Sequence, residues 1–137
     1  MSFVEILALV YLLLFSIYHL FTGIVSVFFS EFALKFYKKI YGFEPKETKL
    51  LKMNLKPWGN LALNLGVIGF IIFFNIDRYF LILFAFAFLL IIRIWYRITY
   101  RDYMKSELKI SSFNNWKLII IQLVGAVLFI LYGISYM

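Results

Sequence analysis

The sequence has no cysteine, a single histidine, two prolines and only seven acidic residues in a length of 137. Without cysteine there can be no disulfide staple, no thiolate redox chemistry and no cysteine-ligated zinc or iron–sulfur centre. One imidazole and seven carboxylates argue against a multi-ligand metal site, and bis-histidine haem ligation within one chain is excluded. No Ser-His-Asp set, no HExxH motif and no glycine-rich phosphate loop occurs. No catalytic residue can be nominated. Chemistry would have to rest on His19 and the arginines alone, so the expectation leans away from an enzyme.

What is present is apolar. Hydrophobic residues make up 64% of the chain, with 17 Phe and 10 Tyr, and charged residues only 15%; soluble domains run at about 45–50% apolar. The mean hydropathy is +0.91, and such a chain has too little polar surface to cover one water-soluble domain of this size. A bilayer core about 30 Å thick needs about 20 mostly apolar residues per helix. Four stretches meet that length, about 4–29, 58–76, 79–96 and 118–136. They lack the alternation of barrel strands. The expected fold is all-α: one transmembrane domain over 1–137, an antiparallel four-helix bundle in a polytopic membrane protein. Only Asn75-Ile76-Asp77-Arg78 separates the second and third spans, which predicts a tight hairpin there.

Of the 14 Lys and Arg residues, Arg78 alone falls on the side of that short turn. The other thirteen lie in or beside the long connections, about 30–57 and 97–117, which makes those connections cytoplasmic and places both termini outside. The first span has no basic residue before its apolar run and no A-x-A site after it, so it is expected to be retained in the membrane and not cleaved as a signal peptide. The net charge of +7 then reads as a topology signal and a contact to anionic lipid, with no nucleic-acid partner.

Amphipathic helical extensions are expected on the cytoplasmic side. Ala33, Phe36, Tyr37 and Ile40 share one helical face, against Glu31, Lys35, Lys38 and Lys39. Gly42 is placed to end that helix and Pro45 to prevent its resumption. Tyr96, Tyr100 and Tyr103, with Arg97 and Arg101, suggest a similar piece after the third span. An internal repeat is a further possibility: Phe36 to Tyr41 can be laid over Trp95 to Tyr100, and Trp58 and Trp116 each precede an Asn-Leu or Gln-Leu pair by six residues. It would make two helical hairpins of the same orientation.

Polar side chains inside spans point to function because they are costly in hydrocarbon. At about 1.5 Å per residue, Arg93, Asn64 and Gln122 each fall roughly 8–9 Å inside the cytoplasmic boundary, and His19 near mid-depth. Arg93 has no acid near it at that depth and does not deprotonate. Three readings stay open: snorkelling to lipid phosphates, a headgroup site shared with Arg97 one turn on, and a salt bridge to Glu31, Asp102 or another subunit. For His19 the alternatives are a core imidazole bonded to Ser16, Tyr18 or a neighbouring helix, and a ligand-binding or proton-shuttling group. Asn60 and Asn64, neighbours at i, i+4, suit interhelical hydrogen bonds, while Gly59, Ala62, Gly66 and Gly69 form a small-residue stripe for close packing. Trp58 and Trp116 at the inner boundary, and Tyr79, Tyr132 and Tyr136 at the outer, read as interfacial anchors. The candidate ligand-binding set is His19, Asn60, Asn64, Arg93, Arg97 and Gln122.

The run Tyr18-His19-Leu20-Phe21-Thr22-Gly23, the segment Phe29 to Tyr37 and the run Lys56 to Leu63 resemble small four-span bacterial membrane proteins of the DoxX-like kind. The resemblance covers mainly the first 75 residues and implies a quinone or lipid neighbourhood. Taken together, the sequence predicts a small non-catalytic integral membrane protein, a subunit or assembly partner of other membrane proteins or a homo-oligomer. A lipid- or quinone-binding protein is the alternative, with no other cofactor expected. A transporter or channel would need an oligomer, since the outer half offers no polar path.

Overall fold

The computed structural model describes residues 2–44 and 48–137. Seven helices and no strand occur among them: α1 (Phe3–Phe28), α2 (Ser30–Tyr41), α3 (Thr48–Phe74), α4 (Ile76–Tyr79), α5 (Ile82–Thr99), α6 (Arg101–Ser106) and α7 (Ser112–Ser135). Four segments, Phe3–Phe28, Leu51–Phe74, Ile82–Thr99 and Ser112–Ser135, are long and apolar enough to cross a membrane. The all-helical fold and the multi-pass character expected from composition are both present.

Local chemistry explains the helix ends. Ser2 caps α1: its Oγ accepts from the Glu5 N–H at 3.3 Å, and Glu5 Oε2 accepts from the Ser2 N–H at 2.7 Å. The one acid inside a span is thereby engaged in a capping box. Gly42 ends α2 as expected, with φ +67 and its N–H donating to the Lys38 carbonyl at 2.9 Å. Pro45, expected to block resumption, and Lys46 lie outside the described residues. The short turn is an extra helical turn, α4, entered through Asn75, whose Nδ2 donates to the Ile71 carbonyl at 3.0 Å.

Helix starts differ from the sequence reading: α5 begins at Ile82 and not 79, α7 at Ser112 and not 118, and the largest difference is at α3. Hydropathy starts the second span at Trp58, whereas α3 begins at Thr48 and runs through Pro57. Hydropathy marks where a chain enters lipid and not where its helix starts, so Lys49, Lys52 and Lys56 ride on the first turns of α3. Pro57 removes one backbone donor from that helix, and it does so on the exposed surface.

Packing is led by small residues. Gly23 on α1 sits where an added Cβ would stand 2.6 Å from the Leu63 amide nitrogen and 2.9 Å from the Gly59 carbonyl. At Gly66 a Cβ would meet the Leu20 amide at 2.7 Å, and Gly69 lies against Ser16. The stripe read from sequence is thus the surface by which α3 seats on α1. The Ser16 hydroxyl in that seam donates to its own helix, to the Leu12 carbonyl at 2.7 Å, and so remains satisfied without water. Next to it, Tyr11 lays its ring over Gly125 of α7 and donates to the Ile121 carbonyl at 3.1 Å. About two turns further along α7, the Phe84 ring of α5 covers Gly133.

The shortest connection therefore does not join the closest pair, and the tight hairpin expected between the second and third spans is not formed. Although α3 and α5 are joined by the short segment 75–81, α3 packs chiefly on α1 and α5 chiefly on α7, with α1 meeting α7 between them. That pairing matches the two hairpins of the suggested repeat. The aligned segments do not occupy equivalent places, because Phe36 to Tyr41 lies on α2 while Trp95 to Thr99 still belongs to α5. The shared core contains Leu12, Phe15, Ile72, Phe86, Leu90 and Phe129. It also contains Tyr132, expected as an interfacial anchor but 1% exposed, its ring stacked on Tyr136 at 4.8 Å. Trp58 and Trp116 are exposed, as anchors require.

Candidate functional site

His19 is buried on α1, its ring centred 4.0 Å from that of Phe15 and tilted 37° to it. Its Nδ1 lies 2.8 Å from the Phe15 carbonyl oxygen, which only accepts, so Nδ1 carries a hydrogen. Its Nε2 lies 3.1 Å from a terminal nitrogen of Arg93. A guanidinium only donates, so Nε2 must be the bare acceptor. The two neighbours together fix the neutral imidazole and its tautomer. Of the partners expected for His19, the neighbouring helix is the one found. Ser16 and Tyr18 side chains bond elsewhere, because the i−4 carbonyl lies directly over the imidazole on the same helix.

Arg97 follows Arg93 by one turn of α5 and is held by α7. Its terminal nitrogen donates to Asn115 Oδ1 at 3.1 Å, and Asn115 Nδ2 donates back to the Arg97 carbonyl at 3.2 Å. Both arginines are half-buried, and Tyr18 and Tyr41 lie within electrostatic reach of both. The hydroxyls of Tyr18 and Tyr41 are hydrogen-bonded to each other, and Tyr37 bonds Ser26 at 2.8 Å. Burial raises the Tyr41 hydroxyl above the ordinary tyrosine range, which keeps it a neutral donor.

The long connections close over this cluster. Asn114 Nδ2 donates to the Tyr41 carbonyl at 3.2 Å, and the Glu44 N–H donates to the Leu108 carbonyl at 2.9 Å. The left-handed Gly42 turn belongs to the same contact, since a Cβ there would stand 3.3 Å from Asn114 Nδ2.

The carboxylates are spent elsewhere. Glu31 pairs with Lys52, which holds its carboxyl below the usual range. Lys38 pairs with Glu44 at 2.5 Å, and Asp102 lies 3.6 Å from its neighbour Arg101. Among the described residues no carboxylate forms an ion pair with Arg93 or Arg97, so neither Glu31 nor Asp102 is the partner that the sequence reading left open.

The remaining expected residues are dispersed. Asn60 and Asn64 are exposed on α3, and among the described residues neither is hydrogen-bonded to another helix of this chain. The glycine stripe turned toward α1 is the reason, because it leaves the amides facing away. Gln122 is partly buried on α7, with its Oε1 buried and without a partner. Arg93 therefore joins His19 directly, Arg97 shares its neighbourhood, and Asn60 and Asn64 stand outside. Sequence reading missed Asn115 and Tyr41 as members and named Tyr18 only as a partner of His19. Only Asn115 carried a signal, two helical turns before Gln122 and on the same face.

No family model, no curated protein and no solved structure matches the chain.

Proposed function

We propose that this chain is a non-catalytic integral membrane protein that holds the anionic headgroup of an amphiphile at Arg93 and Arg97. Charge balance carries the reading: two half-buried guanidiniums on one face of α5 have neutral partners, His19 and Asn115, and no carboxylate among the described residues. A cation withdrawn from water is costly unless a counter-charge comes with it. A headgroup phosphate supplies that charge, and guanidinium forks fit phosphate oxygens. The Tyr18–Tyr41 pair supports the same reading, because two hydroxyls use one proton between them and leave the other for an incoming oxygen. A quinone carbonyl would accept hydrogen bonds but leave both charges uncompensated. Of the quinone or lipid neighbourhood implied by the DoxX-like resemblance, the chemistry favours lipid.

In this reading the spans form an antiparallel bundle. Residue numbers run in opposite senses along both main contacts, Gly23 with Leu63 and Ser16 with Gly69, Phe84 with Gly133 and Arg97 with Asn115, which supports it. Both termini face outward, and α2 and α6 are extensions at the cytoplasmic surface, where thirteen basic residues meet anionic lipid.

Native mass spectrometry of delipidated protein, titrated with phosphatidylglycerol, phosphatidylcholine or a short-chain quinone, tests the site. Phosphatidylglycerol is expected to bind at least about tenfold more tightly than the other two. Arg93→Gln should remove that preference, whereas Arg101→Gln should not. Equal binding of all three ligands, or an unchanged preference in Arg93→Gln, rejects the site.

A subunit or assembly role is the second reading, favoured by one observation: α3 has a single extensive neighbour, α1, and most of its surface is unoccupied. A partner should then co-purify stoichiometrically in mild detergent, and recovery of a lone monomer counts against it.

A further inference from the structure

The seam of α3 that faces away from α1 has its own pattern. Asn60, Asn64, Val67, Ile71 and Phe74 are all exposed and are spaced alternately by four and three residues. That is the spacing of a seam along which two helices pack. Gly59, Ala62, Gly66 and Gly69 follow the same spacing on nearly the opposite side, where α1 is seated. One helix thus presents two seams, and this chain fills one of them. The unfilled seam carries two carboxamides inside the candidate span Leu51–Phe74, neither bonded to another residue among the described ones. The side chain of Asn64, roughly 9 Å inside the boundary set by Trp58, is too short to reach the membrane surface as lysine does, and an unpaired amide in hydrocarbon is costly.

We infer that α3 pairs two copies of this chain, with Asn60 and Asn64 hydrogen-bonded across a two-fold axis normal to the membrane. The inference deepens the assembly reading by naming the partner, and it does not depend on the headgroup site. A carboxamide both donates and accepts, so about such an axis each asparagine meets its own copy at the same depth and both groups are satisfied. A single asparagine within an apolar seam is a known device for fixing register between like helices. No charged residue lies on α3 from Trp58 to Phe74, so nothing on the seam calls for an unlike partner of opposite charge. Above the amides, Val67 and Ile71 supply β-branched packing.

The absence of cysteine allows a direct test on the full chain in its native membrane. Single variants Val67→Cys, on the seam, and Ile120→Cys, exposed on α7, are oxidised with a membrane-permeant copper catalyst. Val67→Cys is expected to give a disulfide-linked dimer at a rate at least about tenfold above Ile120→Cys. Adding Asn60→Leu and Asn64→Leu to Val67→Cys should abolish that excess, while Asn64→Gln, which keeps the amide, should preserve it. Leucine is compatible with a lipid-facing helix surface, and elution of the double variant as a monodisperse species confirms that it still folds. Equal cross-linking at both cysteine positions, or an excess that survives the leucines, overturns the pairing. A stoichiometric unlike subunit recovered with Val67→Cys uncross-linked would overturn it while leaving the assembly reading intact.

Discussion

The two main helix pairs are held by different means. Between α1 and α3 the contact is backbone against backbone: at Gly23 and Gly66 an added Cβ would strike the amide nitrogens of Leu63 and Leu20. Between α5 and α7 the contact runs through side chains, with the Phe84 ring over Gly133 near one end and the Arg97–Asn115 exchange at the other. Backbone has nowhere to move, whereas a ring can turn and a side chain can find another partner. The close pair supplies a rigid wall, and the looser pair carries the cations that face it. His19 on α1 and Arg93 on α5 meet between the two.

Substitutions can break this contrast in order of effect. Gly66→Val should be the most damaging, costing about 3 kcal/mol by forcing α3 off α1, read from reversible unfolding in mixed micelles; a cost under about 1 kcal/mol would show that the seam yields. Arg97→Leu leaves Oδ1 of the buried Asn115 without its donor and should cost about 2 kcal/mol in the same assay. Gly133→Ala meets only the far edge of the Phe84 ring and is expected to cost about 1 kcal/mol, and a loss equal to that of Gly66→Ala would erase the distinction between the pairs. Tyr18→Phe removes the hydroxyl bond to Tyr41 and should cost about 0.5–1 kcal/mol. Lys52→Gln at the exposed pair with Glu31 should leave the melting temperature unchanged.

The wall was more legible in the sequence than the cations' surroundings. Gly59, Ala62, Gly66 and Gly69 recur at helical spacing, and small residues have little use in lipid except to let another helix close in, so the stripe announced an interface without naming α1. Gly42 announced the end of α2 for an equally local reason. Arg93 could be seen to need a partner because no acid stood at its depth. The partner could not be seen. His19, Asn115, Tyr18 and Tyr41 come from other helices, and their approach depends on how far each helix is rotated about its axis, which single-residue spacing does not fix. Tyr132 was misplaced for the same reason: a tyrosine near a span end suits the interface, but the rotation of α7 turns it into the core. Asn60 and Asn64 show the converse, since a glycine seam chosen for α1 directs them outward.

The headgroup site is tested most directly by ligand-dependent thermal stability. A ligand that binds only the folded protein stabilises it by about 2.7 kcal/mol at a hundredfold excess over its Kd. Short-chain phosphatidylglycerol is expected to raise the melting temperature of the unaltered protein by several degrees, and the matching phosphatidylcholine is not. The rise should vanish when Arg93→Gln and Arg97→Gln are combined. The same rise with both lipids, or one that persists without the two guanidiniums, would contradict the account.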